Sequence, residues 1–329
     1  MTKVPLYDLH QRVIDYLRVS ITDLCNLRCV YCRPAEGVQL ISHDEILRHE
    51  EILTVISVAR DLGIRKIRIT GGEPLVRRGA LGFLAELAAM EGIEDVGLTT
   101  NGVLFASMAR DLRAAGLKRV NISLDSLRRE TFRSITRSDR LDEVLAGIHN
   151  ALDLGFDPVK INVVLLQGIN EADVPGFARL TVEKPLDVRF IERMPFGGDS
   201  VPDSPDSFSS LKVLDMIRRQ VGELDPQERG PLDGPATMFR IKGAKGRIGI
   251  IDPVTGHFCG TCNRLRLTAR GTLRPCLLSG QEIDVRGALR RAASRDEIAG
   301  IIQAAVLAKP VSHGSRLCAM GEGMNRIGG

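Results

Sequence analysis

The chain has 329 residues, of which 43% are hydrophobic and 26% are charged, and this ordinary globular composition excludes a disordered chain, a collagen-like fibre and a disulfide scaffold. No run approaches the roughly 18 apolar residues that span a bilayer, and Asp8 and His10 stand where an export signal would be apolar, so we expect a cytoplasmic protein without a membrane segment. Lys and Arg exceed Asp and Glu by only 45 to 41, which does not predict a nucleic-acid partner.

The first two hundred residues alternate short β-branched runs with helical patterns. Strands are predicted at 17–22, 67–70, 96–99, 119–124, 159–165 and 188–192. Helices are predicted from the capping-box sequence Ser42-His-Asp-Glu45 to Gly63, and over 81–90, 104–115 and 141–154. This alternation predicts an α/β fold with a parallel sheet. Six such units are too few for a closed eight-fold barrel, so we expect an open, partial TIM-type barrel.

Polar and apolar residues alternate along the first, second, fourth and fifth of these strands, whereas strands buried on both faces normally read as continuous apolar runs. Because helices cover the outside of a barrel, the polar set is predicted to point inward. It includes Arg18, Arg68 and Lys160. Unpaired buried cations are costly, so we expect a wet interior that holds an anion. An antiparallel sheet with one solvated face is the alternative.

Several polar or glycine-rich motifs follow the predicted strands, where barrel enzymes place their active sites. The segment Gly71-Gly-Glu-Pro74 follows the second strand, and Thr99-Thr-Asn-Gly102 follows the third. Ser123 and Asp125 end the fourth. Glycine at such a place lets the backbone approach a ligand closely, although a plain turn would give the same pattern.

Three cysteines follow the first predicted strand in the pattern Cys25-Asn-Leu-Arg-Cys29-Val-Tyr-Cys32. Clustered thiols in a chain without an export signal predict a metal site and not a disulfide framework. A structural zinc site takes four ligands, and no fourth lies nearby. A four-iron cluster on three thiolates would keep one iron open, which suits catalysis better than electron transfer. A zinc site with a remote fourth ligand is the alternative.

A second group of three cysteines lies in the segment Phe258-Cys-Gly-Thr-Cys-Asn-Arg-Leu-Arg266 and at Cys276. Three thiolates again predict an open cluster, and a zinc ribbon completed by His257 or Cys318 is the alternative. Cys318 lies outside both patterns and is predicted to be a packed or free thiol.

Proline and glycine punctuate residues 185–235, which predicts a passage into a second region. We therefore expect two domains, at residues 1–195 and 196–329, with strands within 240–251 of the second. The chain ends in the glycine-rich sequence that finishes with Gly328-Gly329.

The cysteine loop followed by Gly-Gly-Glu-Pro resembles the radical S-adenosylmethionine (SAM) superfamily. The second cysteine motif, the segment Tyr16-Leu-Arg-Val-Ser-Ile-Thr-Asp23 and the terminal Gly-Gly make the whole chain similar to the GTP 3′,8-cyclase (MoaA) family of molybdenum cofactor biosynthesis. The resemblance implies a lyase that uses two [4Fe–4S] clusters and SAM. It would convert GTP to (8S)-3′,8-cyclo-7,8-dihydroguanosine 5′-triphosphate through a 5′-deoxyadenosyl radical, while the protein positions and shields the chemistry.

The resemblance also implies roles for individual residues. The ligands of the two clusters would be Cys25, Cys29 and Cys32, and Cys259, Cys262 and Cys276. The SAM contacts would be Tyr31, Gly72, Ser123 and Met194. The GTP contacts would be Arg18, Arg68, Thr99, Lys160, Arg264, Leu265 and Arg266. In this family the Gly-Gly tail is believed to reach the active site, and a frayed terminus is the alternative.

The resemblance further implies MoaC as the next enzyme of the pathway and a reducing electron donor, in a monomer or homodimer. Two other functions compete with this one. A peptide-modifying radical SAM enzyme would usually carry more C-terminal cysteines. A non-catalytic zinc or nucleic-acid-binding protein would use Arg264, Arg266 and Arg270, but it leaves the inward polar face unexplained.

Overall fold

The computed structural model describes residues 5–34, 36–194, 209–230, 233–256 and 258–312. Strands and helices alternate through its N-terminal part, so the predicted α/β class is confirmed. The strands of this part are β1 (Tyr16–Ser20), β2 (Lys66–Thr70), β3 (Asp95–Thr100), β4 (Arg119–Ser123), β5 (Val159–Val164) and β6 (Leu186–Ile191). Its helices are α1 (His49–Asp61), α2 (Ala80–Ala88), α3 (Phe105–Ala114), α4 (Arg129–Thr136), α5 (Leu141–Asp153) and α6 (Val174–Glu183).

Within the described residues, the C-terminal part contributes six further strands and three more helices. Its helices are α7 (Ser210–Gln220), α8 (Arg286–Arg290) and α9 (Arg295–Leu307). Its strands are β7 (Leu224–Gln227), β8 (Thr237–Ile241), β9 (Arg247–Ile251), β10 (Arg264–Leu267), β11 (Thr272–Arg274) and β12 (Ile283–Asp284). The strands predicted within 240–251 are therefore confirmed as β8 and β9.

The twelve strands of the described residues form one sheet in the order β12-β11-β10-β1-β2-β3-β4-β5-β6-β9-β8-β7. The six N-terminal strands lie side by side in chain order and are parallel, which rules out the antiparallel alternative. Strand β10 pairs in parallel with β1, and β9 pairs in parallel with β6. The C-terminal part therefore borders both edges of the N-terminal strands.

The alternation within each strand separates an apolar face from a polar one. On β1, Leu17 and Val19 are fully buried in the hydrophobic core, and Ile67 and Ile69 continue that face on β2. Burying such aliphatic side chains against the covering helices stabilises each by about 1.5–3 kcal/mol. The polar residues between them are left for the opposite face of the sheet.

The first predicted helix begins later than the sequence indicated. Ser42-His-Asp-Glu45 opens only a short 3-10 helix, and Ile46 is extended. This extended turn buries Leu47, whose N–H donates to the carbonyl of Ala269 at 2.9 Å. The α-helix α1 starts at His49 instead, where the Glu51 carboxylate accepts from the Arg48 N–H at 2.6 Å. Tertiary packing of Leu47 overrides the local capping signal.

No helix in the described part of the chain has the length and apolar character needed to cross a membrane.

Substituting Phe105 tests the apolar core beneath α3. This ring is fully buried and meets the ring of Phe156 edge-on, with 5.4 Å between centroids. We expect Phe105→Ala to lower the free energy of unfolding by about 3–5 kcal/mol through lost burial and a residual cavity. Urea unfolding of the purified chain measures this loss. Leu211→Ala on α7, where the side chain is 75% exposed, should change stability by less than about 0.5 kcal/mol; equal losses in the two variants would contradict this packing.

Candidate functional site

A cavity of about 360 Å³ lies on the polar face of the sheet. Alternate residues of six strands, β1, β2, β4, β5, β6 and β10, line it, so the predicted inward direction of the polar set is confirmed for Arg18, Arg68, Asn121 and Asn162. Most of the predicted site residues meet there, namely Arg18, Cys25, Cys29, Tyr31, Cys32, Arg68, Gly72, Thr99, Ser123, Met194, Cys259, Cys262, Arg264, Arg266 and Cys276. Cys318, His257 and the Gly328-Gly329 tail lie outside the described residues.

The first three cysteines stand in the loop that follows β1, and each thiol is half-buried and forms no disulfide. Burial raises the pKa of Cys29 well above its usual value, and the nearby Asp125, Cys32 and Cys25 raise it further. The N–H of Leu27 donates to Cys25 Sγ at 3.4 Å, and Asn101 Nδ2 lies 3.7 Å from the same sulfur. Neighbouring thiols in a buried place ionise with difficulty unless positive charge joins them.

The Gly-Gly-Glu-Pro turn packs directly against this cysteine loop. The N–H of Gly72 donates to the carbonyl of Thr22, and that of Glu73 donates to the carbonyl of Leu24, both at 2.7 Å. A Cβ on Gly72 would lie 2.2 Å from the Leu24 carbonyl oxygen, a distance that no side chain tolerates. Glycine is therefore required here because two backbones touch.

Glu73 is fully buried between the turn and the end of β3. Its carboxylate accepts hydrogen bonds from Thr100 Oγ1 at 2.8 Å, from the Asn101 N–H at 2.6 Å and from the Leu75 N–H at 3.0 Å. Burial nevertheless raises the pKa of Glu73 to about 7. The carboxylate thus ties the loops after β2 and β3 together beneath the first cysteines.

A second buried carboxylate connects the cysteine loop to the end of β4. Tyr31 Oη donates to Asp125 Oδ2 at 2.7 Å, and the Val164 N–H donates to Asp125 Oδ1 at 2.8 Å. Burial raises the pKa of Asp125 to about 6. The hydrogen bond fixes the ring of Tyr31 at the cavity wall, between two of the three cysteines in sequence.

Arginines from neighbouring strands converge on the other side of the cavity. Arg18 and Arg266 are register partners across β1 and β10, and Arg68 is the register partner of Arg18 on β2. Burial lowers the pKa of Arg266 well below its usual range, and the charges of Arg18 and Arg264 lower it further. Guanidinium groups held this close favour an anion with several oxygens, such as a phosphate chain.

The position of Arg68 depends on a glycine and a tyrosine. A Cβ on Gly97 would lie 2.3 Å from Arg68 Nη1, so the glycine in β3 leaves room for the guanidinium. Arg68 Nε donates to Tyr16 Oη at 3.3 Å, and Arg68 Nη1 donates to Asn121 Oδ1 at 3.3 Å. Although burial opposes ionisation, Arg68 and Arg18 lower the pKa of Tyr16 to about 7.

The second three cysteines line the same cavity from the edge formed by β10 and β11. Cys259 lies in a short 3-10 helix (Phe258–Thr261), and Cys276 follows β11. Burial raises the pKa of the Cys262 thiol, but Arg264 and Lys309 outweigh it and bring that pKa to about 6. The pKa of Cys262 is therefore shifted in the opposite direction to those of Cys25 and Cys29, which burial raises.

Two predicted substrate residues do not line this cavity. Lys160 is buried and lies 3.6 Å from Asp187 Oδ2 and 3.5 Å from Asp233 Oδ1, which both also pair with Arg247 at 2.8 Å. Leu265 is buried in the core opposite Leu17. Their roles toward a substrate stay predictions.

Six further cations line the cavity that the sequence did not single out: Arg12, Arg33, Lys66, Arg119, Arg189 and Lys309. Arg119 pairs with Asp95. Arg189 continues on β6 the alternation of the earlier strands, which is the signal that could have identified it. Arg12 and Lys309 lie before β1 and after α9, and nothing in their local sequence places them here.

Glu73 predicts a pH dependence of folding. Its pKa of about 7 in the folded chain lies above the usual 4.5, so its contribution to stability is present below pH 4.5 and is lost as the pH rises to about 7. At roughly 1.4 kcal/mol per pH unit, this loss is roughly 3 kcal/mol.

Glu73→Gln removes this titration, so its stability relative to the wild type should rise over the same window. Urea unfolding of the chain without added iron, at a series of pH values, measures the difference. Glu91→Gln, at an exposed glutamate, serves as the control. A stability difference for Glu73→Gln that does not change with pH would contradict the buried, proton-binding carboxylate.

Two family profiles match the N-terminal and C-terminal parts of the chain. The Radical SAM superfamily profile matches residues 19–181, and the profile called Molybdenum Cofactor Synthesis C matches residues 186–315. SuiB of Streptococcus suis is a similar solved structure, with a TM-score of 0.63 and 14% identity over 90% of this chain and 69% of that one. At that identity the likeness concerns the fold alone.

Similar curated proteins span nearly the full length. The GTP 3′,8-cyclase of Heliobacterium modesticaldum is 51% identical over 316 residues, which cover 94% of both chains. The GTP 3′,8-cyclase of Pelotomaculum thermopropionicum is 48% identical over 308 residues, or 94% of this chain and 95% of the relative. That of Geobacter sulfurreducens is 49% identical over 317 residues and 95% of both chains. The chain belongs to the GTP 3′,8-cyclase family of the radical SAM superfamily.

Proposed function

We propose that this chain cyclises GTP to (8S)-3′,8-cyclo-7,8-dihydroguanosine 5′-triphosphate, an early step of molybdenum cofactor biosynthesis. One observation carries the proposal: two groups of three cysteines and a set of buried arginines line a single cavity. Such a cavity combines two thiolate-rich sites with a binding wall for a polyanion, and GTP supplies the polyanion.

The cysteine sites suit two iron–sulfur clusters. Among the described residues, no three His, Cys, Asp or Glu side chains converge as the ligands of a single metal ion would. Three cysteines in the pattern C-x3-C-x2-C, with no fourth ligand nearby in the sequence, favour a cluster with one open iron over a four-ligand zinc site. Cys25, Cys29 and Cys32 would hold the first [4Fe–4S] cluster, and the positive charge of its irons would offset the burial and the neighbouring negative charges that raise the pKa of Cys29.

Residues around the first site would bind and orient SAM. When bound, the first cluster and SAM supply a carbon-centred radical that takes a hydrogen atom from the ribose of the substrate. Gly72 offers bare backbone beside the cysteine loop, and Tyr31 offers a ring whose orientation Asp125 fixes. Ser123 and Met194 border the same cavity. We assign the SAM contacts to these four residues because the family resemblance implies them and all four line the cavity that the first three cysteines also line.

The arginine wall would bind the triphosphate. Arg18, Arg68 and Arg266 bring three guanidinium groups together on adjacent strands, and forked N–H donors suit phosphate oxygens. Thr99 and Arg264 line the cavity beside them. Lys160 would act from behind this wall, where Asp187 and Asp233 hold it, and Leu265 would contribute its backbone.

The second cysteine group would hold the other [4Fe–4S] cluster close to the substrate base. Arg264 and Lys309 lower the pKa of Cys262 to about 6 against the effect of burial, which favours the thiolate form that binds metal. Cys259 and Cys276 would complete the ligand set.

The proposal also covers the architecture and the partners. Residues 1–195 would form a partial TIM-type barrel, and residues 196–329 would carry the second cluster and the Gly-Gly tail. The parallel order of β1 to β6 supports the first part. A cytoplasmic reductant would supply electrons and MoaC would consume the product, with the enzyme a monomer or a homodimer.

Anaerobic reconstitution with iron and sulfide tests the function. We expect the reconstituted chain, given SAM, dithionite and GTP, to release 5′-deoxyadenosine and the cyclised nucleotide in equal amounts, as measured by mass spectrometry. ATP in place of GTP should give no cyclised product. Cleavage of SAM with a peptide substrate but not with GTP, or zinc bound at both sites, would contradict the proposal.

Arg266→Ala tests the triphosphate wall. We expect kcat/KM for GTP to fall by about 10- to 100-fold, because a hydrogen bond to a charged group contributes roughly 1.5–3 kcal/mol. Iron content should stay at the wild-type value, since Arg266 is not a ligand. Arg270→Ala is the matched control, because Arg270 follows the same strand but does not line the cavity. Unchanged turnover in Arg266→Ala would remove this residue from the proposed site.

A further inference from the structure

The second cysteine group poses a problem of assembly. Cys259 and Cys262 stand before β10, whereas Cys276 follows β11. Two separate backbone segments must therefore hold their thiols at a fixed spacing for one cluster. The antiparallel pair of β10 and β11 joins only Arg266 to Arg274 and Leu267 to Leu273, so it stops short of the ligands on both sides.

Lys309 bridges the two segments at the point where the strand pairing stops. It is buried and follows the last residue of α9 by two positions. Its Nζ donates to the carbonyl of Arg264 and to the carbonyl of Pro275, both at 2.8 Å. Arg264 lies two residues after Cys262, and Pro275 directly precedes Cys276. One ammonium group thus joins the backbones that carry the second and third thiols.

Arg12 makes the corresponding connection for the first thiol. Its guanidinium is buried and is held by Asp8 Oδ2, which accepts from Nε at 2.5 Å. Arg12 Nη1 donates to the carbonyl of Cys259 itself at 2.7 Å, and Nη2 donates to the carbonyl of Pro310 at 2.7 Å. Pro310 is the residue after Lys309, so the two cations share one short segment of chain.

Neither cation is a ligand, and both line the cavity. Together they connect all three ligand-bearing backbones to the segment after α9: Arg12 through Cys259, and Lys309 through the neighbours of Cys262 and Cys276. Backbone carbonyls are fixed in direction, so charged donors that satisfy them also fix the adjacent Cα positions. Groups of this kind around a metal site orient the ligands and influence how firmly the metal is held.

We propose that Arg12 and Lys309 are positioning residues for the second cluster, which hold its three cysteines at the spacing that the cluster requires. This inference rests on the proposed function, because it presumes that a cluster binds there. The segment after α9 lies outside both cysteine motifs, and the inference gives it a role in holding the second cluster.

The test uses the full chain with Cys25, Cys29 and Cys32 replaced by alanine, so that only the second cluster can assemble. Lys309→Met and Arg12→Met are made in this chain, which is reconstituted anaerobically with iron and sulfide. We expect EDTA to remove the cluster about 10- to 100-fold faster from each variant than from the unsubstituted chain. The EPR signal of the dithionite-reduced cluster should fall in parallel.

Two further variants separate positioning from a general loss of stability. Lys309→Arg keeps a charged donor that can reach both carbonyls. Its rate of iron loss to EDTA should therefore be as slow as that of the chain with Lys309. Arg113→Met removes a comparable tie, in which Nε donates to the carbonyl of Leu154 at 3.2 Å, away from the cavity. It should leave iron loss unchanged.

Wild-type rates of iron loss in both Lys309→Met and Arg12→Met would overturn the inference while leaving the proposed function intact. Equal acceleration in Arg113→Met, or no recovery in Lys309→Arg, would also overturn it. A chain with intact Arg12 and Lys309 that takes up no second cluster at all would contradict the proposed function itself.

Discussion

Buried positive charge on one face of a parallel sheet is the constraint on which this structure depends. Arg18, Arg68 and Arg266 occupy adjacent register positions on β1, β2 and β10, and burial together with neighbouring arginines lowers the pKa of Arg18 and of Arg266. Such a wall costs stability in the empty chain, and that cost is offset when an anion binds. Polar residues of this wall occupy one face of the sheet that apolar core residues could otherwise fill. The same strands therefore determine both the fold and the site.

Strand β1 connects the elements that the chemistry requires. It lies between β2 and β10, and the loop after it carries the first three cysteines. Because β10 begins two residues after Cys262, the pairing of β1 with β10 also places the second cysteine group at the same cavity. Gly72 and Glu73 then hold the loop after β2 against the first group, through a backbone contact and a buried carboxylate. A few close contacts therefore set the distances among both cysteine groups and the arginine wall.

The sequence was most informative where a pattern is local. Alternation along β1 and β2 predicts which face Arg18 and Arg68 take, and the cysteine spacing predicts two three-thiol groups. Local signals misled where packing competes with them, as at Ser42, whose capping box yields only a short 3-10 helix because Leu47 enters the core. The helices α4 and α6 to α9 were not predicted.

Long-range contacts were beyond reach for a different reason. No local pattern states that β10 adds to β1 or that β9 adds to β6, since those pairings join segments far apart in the chain. The roles of Arg12 and Lys309 depend on the same non-local pairing. Their partners are backbone carbonyls, which every residue type carries, so the sequence does not identify them. Arg189 is an intermediate case, because its strand carries the alternation but is bordered by Asp187, which belongs to the Lys160 ion pair.

Comparative binding of GTP, GMP and guanosine to the anaerobically reconstituted chain tests the central claim most directly. If the arginine wall receives the phosphate chain, calorimetric titration should show affinity falling stepwise from GTP to GMP to guanosine, by at least about 10-fold per step. Raising the ionic strength should weaken the binding of GTP more than the binding of guanosine. Equal affinity of the three ligands would contradict a cavity organised around buried positive charge.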